Sequence, residues 1–116
     1  NARRQKIAEY YLHELCAATE LILPKVAEGT LPVWHLFVVR HAKRDQIQNL
    51  LKQQAIDTLI HYPIPAHCAQ AYHHLEIPNG TFPIVEELSN SVLSLPIGPH
   101  QSSESTEKII QAIHAI

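Results

Sequence analysis

The eight residues Val33 to Arg40, V-W-H-L-F-V-V-R, limit the possible fold more than any other part of the chain. They are dense in β-branched and aromatic side chains and too few for a typical helix, so they read as a strand. Their near-continuous apolar character predicts burial on both faces, or on one face plus a domain interface. A strand of that kind needs helices laid over it.

The flanking sequence supplies them. Ile7, Tyr10, Tyr11, Leu15, Ala18, Leu21 and Ile22 recur at helical spacing, which predicts a first helix over 2–23 that ends at Pro24. Its polar face carries Arg3, Arg4, Lys6, Glu9 and Glu14. Lys25 to Pro32 reads as a loop. A second helix starts near Asp45 and buries Ile47, Leu50, Leu51 and Ala55. Ile56 to Tyr62 alternates as a second strand, stopped by Pro63 and Pro65. Ala66 to Leu75 reads as a short helix with Ala71, Tyr72 and Leu75 facing inward, and Pro78, Asn79 and Gly80 as a turn. Ile84 to Asn90 is helical, and Ser91 to Leu95 is a third strand closed by Pro96. Ser102 caps a last helix, with Glu104 and Glu107 in its first turn and Ile109, Ile110, Ile113 and Ile116 as its apolar face. This order predicts an α/β or α+β fold, a small sheet packed against helices, as a single domain over 1–116.

Composition excludes several classes of function. Nine Lys and Arg against eleven acids, a net charge of -2, leave no basic footprint for nucleic acid. No apolar run approaches the ~20 residues that span a bilayer, and no signal or transit segment is visible. Two cysteines, Cys16 and Cys68, form no disulfide scaffold, and Cys16 reads as a small packing residue of the first helix. The chain starts at Asn1 without a Met and runs at once into a helical pattern, so it reads as cut from something longer.

Nine histidines are unusual in 116 residues, yet His61, His67 and His73 fall six apart, which puts them on no common helix face. No H-x-x-x-H or C-x-x-C pair exists, and a metal site is not expected. Ser89, Ser91 and Ser94 lack the G-x-S-x-G elbow of a nucleophile, and Gly29, Gly80 and Gly98 stand too far apart for a phosphate loop. The segment Thr58 to Tyr72, T-L-I-H-Y-P-I-P-A-H-C-A-Q-A-Y, sets two histidines and tyrosines around a rigid Pro-x-Pro bend directly after a strand. Strand ends are common ligand sites in α/β folds, and a stiff bend has little entropy left to lose. A plain turn whose histidines meet water fits the same residues.

N-A-R-R-Q-K-I-A-E-Y-Y, W-H-L-F-V-V-R, R-D-Q-I-Q-N-L-L, I-D-T-L-I-H-Y-P-I-P-A-H and F-P-I-V-E-E-L-S-N-S-V-L-S-L-P-I-G-P follow one another from Asn1 to Pro99, within a likeness that runs on to Ile113. Together they resemble the C-terminal region of the DegT/DnrJ/StrS-type sugar aminotransferases, pyridoxal-phosphate enzymes of the aspartate-aminotransferase fold. The H-Y-P-I-P-x-H variant resembles members that aminate nucleotide-linked 3-keto-6-deoxyhexoses with glutamate as donor. Two positions depart from the pattern. Ala55 stands where members usually carry Gly, so it either avoids a left-handed conformation or accepts about a kcal/mol of strain. The Gln of the family's H-x-Q-x-A-Y stretch is displaced by one, to Gln70.

The resemblance implies the small domain of a dimeric, cytoplasmic nucleotide-sugar aminotransferase of surface-polysaccharide or deoxysugar synthesis. The cofactor lysine, its aspartate and the phosphate cup then belong to an N-terminal large domain. Lys6, Lys25, Lys43, Lys52 and Lys108 lack a Ser/Gly-rich cofactor context, so this chain alone is expected to bind no pyridoxal phosphate and to be inactive. The resemblance also implies that His61, Tyr62 and His67 contact the sugar or its diphosphate, since imidazole and phenol donate without a permanent charge. Arg40 reads as a solvated charge at a strand end, and Trp34 and His35 as packing or interface residues. A stand-alone small-molecule-binding or interaction module without catalysis is the alternative reading.

Overall fold

The computed structural model describes residues 1–18 and 20–116. Its regular elements are α1 (Ala2–Glu14), β1 (Phe37–Arg40), α2 (Arg44–Gln53), α3 (Pro83–Ser91), β2 (Val92–Leu95) and α4 (Ser103–His114), with 3₁₀ turns at Leu15–Ala17, Ala66–Cys68 and Gln70–Leu75. The two strands run antiparallel, pairing Phe37 with Leu95, Val38 with Ser94, Val39 with Leu93 and Arg40 with Val92. One further residue pairs on each outer side, Ile22 with Arg40 and Leu59 with Ser94. This is the small antiparallel sheet with helices expected of the α/β (α+β) class.

Alternation along the strands sends Phe37, Val39, Leu93 and Leu95 to one face. All four are buried, with Ala8, Tyr11 and Leu15 beneath them from the first helix and turn, Ile47 and Leu51 from α2, and Ile109, Ile110, Ala112 and Ile113 from α4. The Phe37 ring anchors this core, 5.0 Å from Tyr11 and 5.3 Å from Trp34 between centroids. The opposite face presents Val38, Arg40, Val92 and Ser94, of which Val38 and Arg40 are only half buried. Arg44 is buried behind the strands; its Nη1 donates to the carbonyls of Ser89 at 3.1 Å and Val92 at 2.9 Å. It thereby closes the carbonyl end of α3 where the chain turns into β2.

Several expected boundaries move. The first helix stops at Glu14 instead of Leu23, and Thr19 of the expected span lies outside the described residues. The cause is the sheet: Ile22 exchanges both backbone hydrogen bonds with Arg40, each at 2.9 Å, which a helix would forbid. Cys16 sits exposed in the 3₁₀ turn, not inside the helix as a packing residue, and its thiol donates to the His13 carbonyl at 2.9 Å. The expected strand over 33–40 keeps only its second half, because Trp34 takes a left-handed φ of 51° that breaks the extended run. The expected second strand over 56–62 shrinks to the single pair at Leu59.

Ala66 to Leu75 forms two 3₁₀ turns, and Tyr72 and Leu75 are about half exposed rather than inward-facing. Leu50 and Ile116 are exposed as well, and Glu107 lies past the first turn of α4. Ala55 leaves the helix altogether, exposed, at φ 57°. There its N–H donates to the carbonyl of Lys52 at 3.0 Å and that of Ile56 to Leu51 at 2.9 Å, the paired closure of a Schellman cap. The Ser102 cap forms as expected, with its hydroxyl accepting from the Ser105 N–H. No helix among the described residues is long and apolar enough to cross a membrane.

Candidate functional site

Ser94 is buried in the middle of the sheet, yet its position in the alternation turns its hydroxyl away from the core. The Leu59 pair brings the following bend alongside it, and Nδ1 of His61 lies 2.8 Å from Ser94 Oγ. Where the hydroxyl donates to Nδ1, the imidazole carries its proton on Nε2. Tyr62 follows directly, its ring edge-on to His61 at 5.5 Å and the residue 74 % exposed.

His61 and Ser94 line a cleft of about 290 Å³, with His35, Asp57, His100 and Gln101 on its other walls. Three histidines thus reach one cleft from three chain segments: before β1, before the Pro-x-Pro bend, and after β2. The His100 ring rests against Gly98, where an added Cβ would stand 2.9 Å from its Cε1. A larger residue at 98 would make the His100 ring shift. Gln101 ties the cleft to the core, its Nε2 donating to the Tyr11 hydroxyl at 3.0 Å and to Thr106 Oγ1 at 2.9 Å. Tyr11 in turn donates to the Pro96 carbonyl at 2.8 Å, and burial pushes its phenol up to about 12. The cleft can therefore offer N–H and O–H donors and one carboxyl group, from walls fixed to the core, to a hydroxyl-rich or phosphorylated ligand.

His67 occupies another place. Its side chain is 6 % exposed, its Nε2 is 3.0 Å from Glu86 Oε1, and its ring meets Phe82 edge-on at 5.0 Å. Glu86 also accepts the Gly80 N–H at 2.8 and 2.9 Å and the Phe82 N–H at 3.4 Å. The Gly80 N–H, with the smaller help of His67 and Phe82, holds this carboxyl below its ordinary range against an opposing effect of burial. The structure thus places His61 on the cleft wall, sets the Tyr62 ring against His61 although Tyr62 is not itself a cleft wall, and seats His67 against α3. Arg40 is half buried and pairs with Glu87 at 3.7 Å. Trp34 packs on Phe37, whereas His35 is exposed at the cleft.

His35, Asp57, His100, Gln101 and Ser94 are the polar cleft residues that sequence reasoning did not select. Only the tertiary fold joins them. Among the described residues no three His, Cys, Asp or Glu side chains gather as a metal ion would require. The donor set does not fit covalent attachment of pyridoxal phosphate either. Lys6, Lys25, Lys43, Lys52 and Lys108 are all exposed, and none lines the cleft.

Comparison with known proteins gives a consistent result. The model of the DegT/DnrJ/EryC1/StrS aminotransferase family matches residues 1–114. The chain is 44% identical to the erythromycin biosynthesis sensory transduction protein EryC1 of Saccharopolyspora erythraea, covering 99% of this chain and 31% of that protein. It is 42% identical to the dTDP-3-amino-3,4,6-trideoxy-alpha-D-glucose transaminase of Streptomyces venezuelae, covering 97% of this chain and 30% of that protein. The crystal structure of S. venezuelae DesV in complex with a ketimine intermediate superposes with a TM-score of 0.95 at 41% identity, over 98% of this chain and 31% of that one. The chain spans a little under a third of the length of these relatives.

Proposed function

Since the chain belongs to the DegT/DnrJ/EryC1/StrS aminotransferase family, we propose that it is the small domain of a longer pyridoxal-phosphate enzyme. That parent transfers an amino group from glutamate to a nucleotide-linked keto-deoxysugar, in surface-polysaccharide or deoxysugar synthesis. Its relative from S. venezuelae is a transaminase of a dTDP-linked amino-deoxysugar, and the likeness extends over nearly all of this chain. The cofactor and its lysine belong to a large domain outside these residues, and the parent works as a cytoplasmic homodimer.

The observation that carries a substrate role is the fixed imidazole of His61 at a donor-lined cleft, with the Tyr62 phenol beside it. His61 Nε2 and the Tyr62 hydroxyl donate to sugar or diphosphate oxygens and hold the keto sugar in place. Neither adds a permanent charge that would retain product. His67 acts on the same substrate segment from its seat on α3. Every lysine of this chain is exposed, so the chain alone is expected to give no aldimine absorbance and no turnover.

The test uses the full-length parent with His61→Ala and Tyr62→Phe. Each change should raise KM for the keto sugar by about tenfold, leaving the glutamate half-reaction as it was. Unchanged keto-sugar kinetics in both variants would overturn the substrate role.

A further inference from the structure

From Tyr62 to Val85 no residue is buried as a whole and only the His67 side chain is tucked in, so the segment carrying the Pro-x-Pro bend has no large apolar anchor of its own. Such a segment opens easily unless polar contacts hold it. At its start the hold is the His61 to Ser94 hydrogen bond. Farther along, the side-chain hydrogen bonds from Cys68 to Asn79 and from Thr81 to Pro78 stay within the segment. Those that tie it to a regular element converge on Glu86 of α3, which takes the His67 ring nitrogen and the backbone N–H groups of Gly80 and Phe82. One carboxylate on a helix therefore holds both ends of the segment's outer arc.

We propose that Glu86 is the positioning residue of the substrate loop, setting Tyr62 and His61 through His67. The proposal rests on the reading that His61 and Tyr62 touch the keto sugar. The link between the two pairs is short and stiff. Pro63 and Pro65 lie between Tyr62 and His67 and each ring locks one φ, so the tether, bent at Pro63 and Ile64, has few torsions free. Fixing the His67 ring between Glu86 and Phe82 fixes where that tether begins. Gly80, at φ 88°, turns its N–H onto the same carboxylate in a conformation that other residues rarely adopt. Glu86 itself does not enter the cleft.

The test compares Glu86→Gln, Glu86→Ala and His67→Gln in the full-length parent. Misplacing substrate contacts without removing them should raise KM for the keto sugar about tenfold in Glu86→Ala, with the glutamate half-reaction unchanged. Glu86→Gln keeps an acceptor oxygen for Gly80 and should fall between Glu86→Ala and the parent. Amide exchange should speed up across 62–82 and stay as it was in α3 and β2. Equal losses in both half-reactions, or faster exchange through α3 as well, make Glu86 a residue of the fold and overturn the proposal. An unchanged KM in Glu86→Ala, beside raised values in His61→Ala and Tyr62→Phe, overturns it alone. If His61→Ala and Tyr62→Phe are themselves without effect, the functional reading fails, and the positioning role falls with it even where loop exchange rises.

Discussion

Ser94 Oγ and His61 Nδ1 lie 2.8 Å apart, so the sheet face turned away from the core sets the orientation of the imidazole at the cleft. The strand supplies rigidity, and the bend supplies the group that is presented. Ser94 is itself held on both sides, paired with Val38 in β1 and with Leu59 beyond it. Little freedom remains for the hydroxyl to follow a moving ring.

Removing that hydroxyl should therefore free His61 without deleting it. Ser94→Ala is expected to raise KM for the keto sugar in the parent about fivefold, the equivalent of one hydrogen bond of about 1 kcal/mol. Ring nitrogen shifts of His61 should show mixed tautomers in the variant and one tautomer in the parent. A single tautomer and an unchanged KM in Ser94→Ala would show that the hydroxyl orients nothing.

At Ala55 the backbone takes the left-handed conformation that glycine adopts freely, and both hydrogen bonds of the cap form despite the methyl group. Ala55→Gly should stabilise the chain by about 0.5–1 kcal/mol, after the greater unfolded-state freedom of glycine is subtracted. Ala55→Val should destabilise it. Denaturant midpoints decide the matter, and a loss of stability in Ala55→Gly would contradict the strain.

Tyr11 predicts a loss of stability in alkali. Its phenol is raised from 10.0 to about 12 in the fold, so the stabilisation is complete below the unfolded value and disappears as pH rises through the folded one. The size is about 2–3 kcal/mol between the two. Tyr11→Phe should cost about 1–2 kcal/mol at neutral pH, because Pro96 and Gln101 lose a buried partner. From there to about pH 12 the variant should lose less stability than the parent chain, as measured by urea unfolding at each pH. Parallel losses in the two proteins would exclude Tyr11 as the source.

What could be read without the fold was local. Ser102 before a helix, the isoleucines at 109, 110 and 113, and Val92 to Leu95 ahead of Pro96 each state their structure within a few residues. The resemblance of the His61 to His67 stretch to a known family could likewise be seen from the residues themselves. Leu21, Ile22 and Leu23 misled because their spacing suits a helix and an edge pair equally, and the choice was made by Arg40, far along the chain. The same limit hid His35 and His100. Neither has a local pattern that points to the cleft, and both reach it only after β1 and β2 have paired.

The single pairs at Ile22 and Leu59 have a consequence for association. Two paired strands alone leave a row of unsatisfied N–H and C=O groups along each outer side, open to any other extended chain. Here one residue on each flank occupies the middle or the end of that row, and the chain then turns off at once. A foreign strand would find the row interrupted after a residue or two on either flank. The sheet thus resists growth by addition without two full outer strands, and the residues released from such strands form the bend that carries His61 and Tyr62.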